Sequence, residues 1–118
     1  MTDFAAAKAL RIPSGAIRSE RASFRIETVA TGIDPQAFSI APLPDGSILV
    51  TEKTKGLSIV SPQGVRSAPI QGTPETTGVG VTVSGIGYGL GWLLDVAPHP
   101  DYAHNGWIYL VHTDLCAE

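Results

Sequence analysis

At 118 residues the chain has the length of one ordinary domain, and only 16% of it is charged, against about 25% in a typical soluble domain. Its 13 glycines and 9 prolines interrupt the chain too often for long helices and favour short strands joined by turns. A net charge of -3 with eight scattered Lys and Arg excludes a basic surface for nucleic acid or an anionic membrane, and no apolar run reaches the ~18 residues of a membrane span.

Residues 1–22 read as a leader, with a short weak helix over Phe4–Arg11 followed by a polar, Ser- and Arg-containing stretch. The leader lacks the basic start and apolar core of a signal peptide, so no export by that route is expected from the chain as written. From residue 23 onward the chain reads as one domain, 23–118. SFRIETVA (23–30) alternates Phe24, Ile26 and Thr28 with Arg25 and Glu27, the pattern of a half-buried strand. Thr31-Gly32 and Asp34-Pro35 end it.

Four strands are then expected at close spacing: QAFSIAPL, SILVTE, LSIVS and VRSAPI, at 36–43, 47–52, 57–61 and 65–70. Between them stand Pro44-Asp45-Gly46, Lys53-Thr54-Lys55-Gly56 and Pro62-Gln63-Gly64, each with a glycine to take a turn conformation that other residues resist. The arrangement predicts an antiparallel meander over about 36–72. Residues 73–92 read as a Gly-rich loop, with glycines at 78, 80, 85, 87, 89 and 91. No three of these have the spacing of a dinucleotide fingerprint, so a phosphate cradle is not the reading. In 93–113 a further pair of strands is expected, with Asn105-Gly106 as a hairpin signal and 107–111 as a buried inner strand. The lone Cys116 cannot form an internal disulfide and reads as an inert exposed thiol; it says little about compartment.

The pattern Ala-Pro-x-Pro-Asp occurs twice, at 41–45 and 97–101, and each copy is followed by a turn and an apolar run. A unit of about 40–50 residues built from four strands is the repeat of a β-propeller blade, here lengthened by the Gly-rich insertion. The chain holds one such unit and the first half of another. Propellers close with about four to eight, so sheet edges are left open and self-association through them is an expectation.

Three stretches resemble one family. FRIETVATGIDPQAFSIAPLPDGSILVTEKTKGLSIV is similar to the opening strand and first blade of the soluble quinoprotein sugar dehydrogenases, the glucose/sorbosone dehydrogenase family. PIQGTP resembles the segment leaving that blade, and LLDVAPHPDYAHNGWIYLVHT the start of the next. The resemblance implies an all-β fold, about one and a half four-stranded antiparallel blades of a six-bladed propeller. It also implies oxidation of aldoses or related carbonyl sugars, with pyrroloquinoline quinone as hydride acceptor and calcium holding it. Family members are usually periplasmic or secreted.

The resemblance places a cofactor loop at Gly89, Leu90, Gly91 and Trp92, where the family carries a glutamine that contacts the quinone. Leu90 stands at that glutamine, and a Leu can neither donate to nor accept from a quinone oxygen. Trp92 replaces a glycine, and its ring either stacks on a planar ligand or fills the space. The family's catalytic histidine, calcium ligands and cationic quinone contacts lie in later blades, and none has a matching position here. The expectation is therefore a chain inactive by itself, with a non-enzymatic binding or scaffold propeller as the alternative; a lactone-hydrolysing propeller would need channel-facing carboxylates.

The remaining polar residues have simpler readings. His99, His104 and His112 lack the spacing of a metal site, and His99 reads as a turn residue bonded to backbone. Asp45 and Asp101 read as turn caps, and Glu52 as a solvated strand end.

Overall fold

The computed structural model describes residues 11–76, 80–83, 86–89 and 91–114. The helix expected over residues 4–11 falls almost wholly outside them, as do Leu90 and Cys116.

Residues 17–24 make a small hairpin, with β1 (Ile17–Arg18) antiparallel to β2 (Ser23–Phe24). The Ser19 hydroxyl closes it, accepting the Ala22 N–H at 3.1 Å. The strand expected over 23–30 is thus two residues long. Alternation alone does not make a strand without a partner: Phe24, Ile26 and Val29 remain 46%, 42% and 59% exposed.

The meander forms as expected for its first three strands. β3 (Ala37–Pro42), β4 (Ile48–Glu52) and β5 (Gly56–Val60) pair antiparallel in chain order. Two turns share one geometry. At Leu43–Ser47 the Gly46 N–H bonds to the Leu43 carbonyl at 3.0 Å and the Leu43 N–H to the Ser47 carbonyl at 2.8 Å. At Ser61–Val65 the same two bonds recur at 2.8 and 2.9 Å. Both put glycine at positive φ, 83° and 80°. At Gly64 there is a further reason, since a Cβ would stand 2.1 Å from the Val29 carbonyl oxygen. That contact sets the incoming chain at Val29 against the Ser61–Val65 turn.

The fourth strand is irregular. Residues 65–70 follow β5 with a single bridge, Val60 to Arg66, and backbone bonds from Ser67 to Ile59 and from Ile70 to Leu57, each 2.8 Å. Pro69 has no N–H to give, and the Ser67 hydroxyl replaces a carbonyl by accepting the Ile59 N–H at 3.0 Å. The stretch expected as loop, 73–92, instead carries a hairpin: β6 (Gly80–Val83) pairs with β7 (Ile86–Gly89), Gly80 opposite Gly89. The glycines hid the Val81-Thr82-Val83 run that supports it.

β8 (Leu93–Pro98) and β9 (Ile108–His112) form the last pair. They are joined through α1 (Tyr102–Asn105), a single helical turn closed by Gly106 at φ 65°. Asn105-Gly106 is therefore a helix ending, not a two-residue hairpin loop. Its bonds run to the Tyr102 carbonyl and, from the Trp107 N–H, to the Asn105 side chain.

The repeat is visible in three dimensions. Ser39 and Asp95 lie 56 positions apart, at matching places in the two copies, and the Ser39 hydroxyl donates to Asp95 Oδ1 at 2.6 Å. Ala37 pairs with Glu52 as Leu93 pairs with His112, and a bulge follows each pairing. The β8–β9 pair lies on β3–β5, where Ala41, Leu43, Leu49 and Leu57 close over Leu93 and Val96 as the core. Each buried leucine contributes about 1.5–3 kcal/mol by leaving water.

The fold is mostly β, in small antiparallel sheets, with one helical turn among the described residues. A closed ring of blades is not seen. The buried inner strand expected at 107–111 is half of that: Ile108 and Leu110 pack on the core, but Trp107, Tyr109 and Val111 are 65%, 55% and 54% exposed.

Candidate functional site

The loop singled out by the sequence is anchored from three sides. Gly89 ends β7. Gly91 is buried at φ 85°, a conformation that suits glycine. The Thr113 hydroxyl, just beyond β9, accepts the N–H of Gly91 at 3.2 Å and of Trp92 at 2.8 Å, and the Thr113 N–H returns to the Trp92 carbonyl at 2.9 Å. On the other side the Lys53 ammonium sits 4.6 Å from the centre of the Trp92 ring and 5.2 Å from that of Phe38. Such a contact is worth about 0.5–1 kcal/mol where water still reaches it. The Lys53 carbonyl also takes the Leu93 N–H at 3.4 Å.

Trp92 thus turns one face inward onto the chain's own cation. A quinone held with calcium needs free hydrogen-bond donors at the loop and oxygen ligands for the metal. The Gly91 and Trp92 amides are bonded to Thr113, and no group of three His, Cys, Asp or Glu gathers among the described residues. No binding site for that cofactor is seen among the described residues, and no chemical step is drawn through it.

A second polar centre was not legible as such. Glu52, expected at a solvated strand end, is fully buried. Its Oε1 accepts Nε of Arg66 at 2.7 Å, lies 2.6 Å from Nη2, and takes the Ser58 hydroxyl. Oε2 accepts the Asp34 N–H at 2.7 Å. Asp34, itself buried, receives the Thr54 hydroxyl and the Gln36 N–H. Burial pushes both carboxyls up, but these donors outweigh it: Ser58 and Arg66 hold Glu52, and Thr54 and Gln36 hold Asp34, below their ordinary values. With every oxygen engaged, the cluster is a clamp joining residues 34, 52, 58 and 66. Arg66, fourteen residues along the chain, was the only signal for it.

The other candidates divide. Asp45 caps its turn as expected, accepting the Ser47 N–H at 3.0 Å and hydroxyl at 2.6 Å, and these bonds lower its pKa. Asp101 does not cap: its Oδ1 meets His104 Nδ1 at 2.5 Å instead, because a helical turn follows the second copy where a Gly turn follows the first. His99 bonds to backbone as expected, Nδ1 accepting the Asp101 N–H at 2.9 Å. His112 ends β9 on the surface. Between the two Pro-rich copies lies an open cleft of about 430 Å³ lined by Pro42, Pro44, Pro98, His99 and Tyr102.

No curated protein and no solved structure gave a significant match to the chain. A family model does match: that described as Glucose / Sorbosone dehydrogenase, over residues 34–117. The matched span runs from the buried Asp34, through both Pro-rich copies and the anchored loop, to beyond Thr113, and so the chain belongs to the glucose/sorbosone dehydrogenase family.

Proposed function

We propose that this chain serves quinone-dependent sugar oxidation as framework, contributing the opening blades of a propeller, and does not itself turn over sugar. The reading rests on membership of the family over residues 34–117. The observation that carries the second half is the loop at Gly91–Trp92, whose amides and ring are committed to Thr113 and Lys53. A histidine base would need hydrogen-bond reach to a sugar hydroxyl beside the acceptor. His99 is instead tied to Asp101 and Asn105, and His112 stands exposed at the end of β9. By the resemblance, Leu90 stands where the family has its quinone-contacting glutamine.

The alternative, a binding or scaffold propeller without redox chemistry, is favoured by that same pairing of Trp92 with Lys53. One experiment separates the two. The purified chain is given the quinone, calcium and glucose, alone and mixed with the later blades of a family dehydrogenase lacking its own first blade. No dye reduction alone and recovered reduction in the mixture support the framework reading. Co-elution without reduction selects the scaffold, and turnover by the chain alone overturns both.

A further inference from the structure

The chain's one asparagine, Asn105, is followed by a glycine, the neighbour that least hinders its own backbone nitrogen from reaching the preceding side chain. In an unfolded chain such a pair reacts with itself. The Gly106 nitrogen gives up its proton and bonds to Asn105 Cγ, the bond from Cγ to Nδ2 breaks, and Nδ2 leaves with that proton as ammonia. Solvent water then opens the cyclic imide at either carbonyl. The product is aspartate or, with the main chain lengthened by a methylene, isoaspartate.

The fold commits both reacting groups elsewhere. Asn105 ends the helical turn α1, and the Gly106 N–H is given to the Tyr102 carbonyl at 2.8 Å. Asn105 Oδ1 accepts the Trp107 N–H at 2.9 Å, which turns Nδ2 toward His99. There Nδ2 donates to His99 Nδ1 at 2.9 Å, beside the Asp101 N–H at the same length. The carboxamide is thus held at both ends. Its acceptor is fixed in turn: the His99 N–H meets the Trp107 carbonyl at 2.8 Å, and the His99 carbonyl takes the Tyr102 N–H at 2.9 Å. The ring stands edge-on to Trp107 and tilted over Tyr109, with centres 6.1 and 5.9 Å apart. Burial is not what shields the pair, since Asn105 and Gly106 are both exposed.

We propose that Asn105-Gly106 is a latent deamidation site held closed by His99. Ring closure needs the carboxamide to swing over the Gly106 nitrogen, and it can do so only after leaving Nδ1. The reaction remakes the turn that joins β8 to β9. A carboxylate at 105 has no N–H to give to Nδ1, and the extra methylene of isoaspartate shifts Gly106 from its bond to Tyr102. His99 and Tyr102 line the cleft between the two Pro-rich copies, so that wall gains a negative charge and loses its tie.

Incubation of the whole chain at neutral pH, folded and in urea, with the mass gain at Asn105 followed by peptide mass spectrometry, tests this. In urea the site should react about tenfold faster or more, as the loss of both carboxamide bonds would give. Two variants, each checked for retained β signal by circular dichroism, separate the His99 acceptor from its ring. His99→Phe keeps a ring and loses the acceptor, and when folded should react about fivefold faster than wild type. His99→Asn offers Oδ1 where Nδ1 stood, and Pro100 has no N–H with which to close an imide on it, so Asn105 should stay slow. Gly72→Ala, which strains a different turn, should leave the rate unchanged. Folded wild type reacting as fast as the chain in urea overturns the proposal. So does His99→Phe at the wild-type rate, or either His99→Asn or Gly72→Ala as fast as His99→Phe.

Discussion

Replacing Arg66 by leucine removes the only cation from a carboxylate that water does not reach. Glu52 is 0% exposed and loses two nitrogens at 2.7 and 2.6 Å, while keeping the Ser58 hydroxyl and the Asp34 N–H. Breaking a buried ion pair from one side costs about 3–5 kcal/mol. The two retained donors, and an Arg66 side chain that is 22% exposed, place this case near about 3 kcal/mol. With a urea slope of roughly 2 kcal/mol per molar, the midpoint should fall by about 1.5 M. The pH dependence follows from the sign of the shifts. Glu52 and Asp34 both have folded pKa values lowered, so their contribution is complete above the unfolded values of about 4.3 and 3.9 and is lost as pH falls below them. In Arg66→Leu, burial acts on Glu52 with less opposition and raises its pKa. The gap between variant and wild type should therefore be widest near neutrality and narrow on acidification. A variant within about 0.5 kcal/mol of wild type at pH 7, or a gap that widens in acid, would refute the clamp.

Gly64→Ala should be far more damaging than Gly72→Ala. Both glycines have φ near 80°, but only the first would press a Cβ to 2.1 Å from the Val29 oxygen, while the second faces open space. Thermal melts should show about 1 kcal/mol for Gly72 and at least twice that for Gly64; equal losses would mean that the Val29 contact yields freely. Thr113→Val removes the acceptor of the Gly91 and Trp92 amides, and hydrogen exchange at those two amides should quicken about fivefold, the equivalent of about 1 kcal/mol. Unchanged exchange there would show that the hydroxyl does not hold the loop. A double-mutant cycle between Lys53→Met and Trp92→Leu should return a coupling of about 0.5–1 kcal/mol. Additive losses would remove the ammonium–ring contact from the account of the loop.

Local signals carried far in this sequence, and long-range ones did not. Gly46 and Gly64 marked turns correctly because a glycine beside Pro and Asp or Gln reports a backbone requirement within a few residues. The Pro-rich repeat was also legible, and the Ser39–Asp95 bond joins its copies. Glu52 was misread because an acid ending a strand is ordinarily wet, and its partners come from three other places in the chain. Residues 107–111 look uniformly apolar, so periodicity could not say that only Ile108 and Leu110 would find a core. The loop was placed by resemblance alone. Nothing in the spacing of Phe38, Lys53 and Trp92 announces that they meet.

The β6–β7 hairpin pairs only with itself among the described strands, while the two halves it separates are joined directly through Leu93, Val96 and the Ser39–Asp95 bond. Closing a longer excursion between ends already held costs only about 0.6 kcal/mol for each doubling of its length. The excursion between the two halves is thus a natural port for insertion: an epitope, a fluorophore or a second small domain can be grafted into it, leaving the core of Leu49, Leu57, Leu93 and Val96 to fold as before.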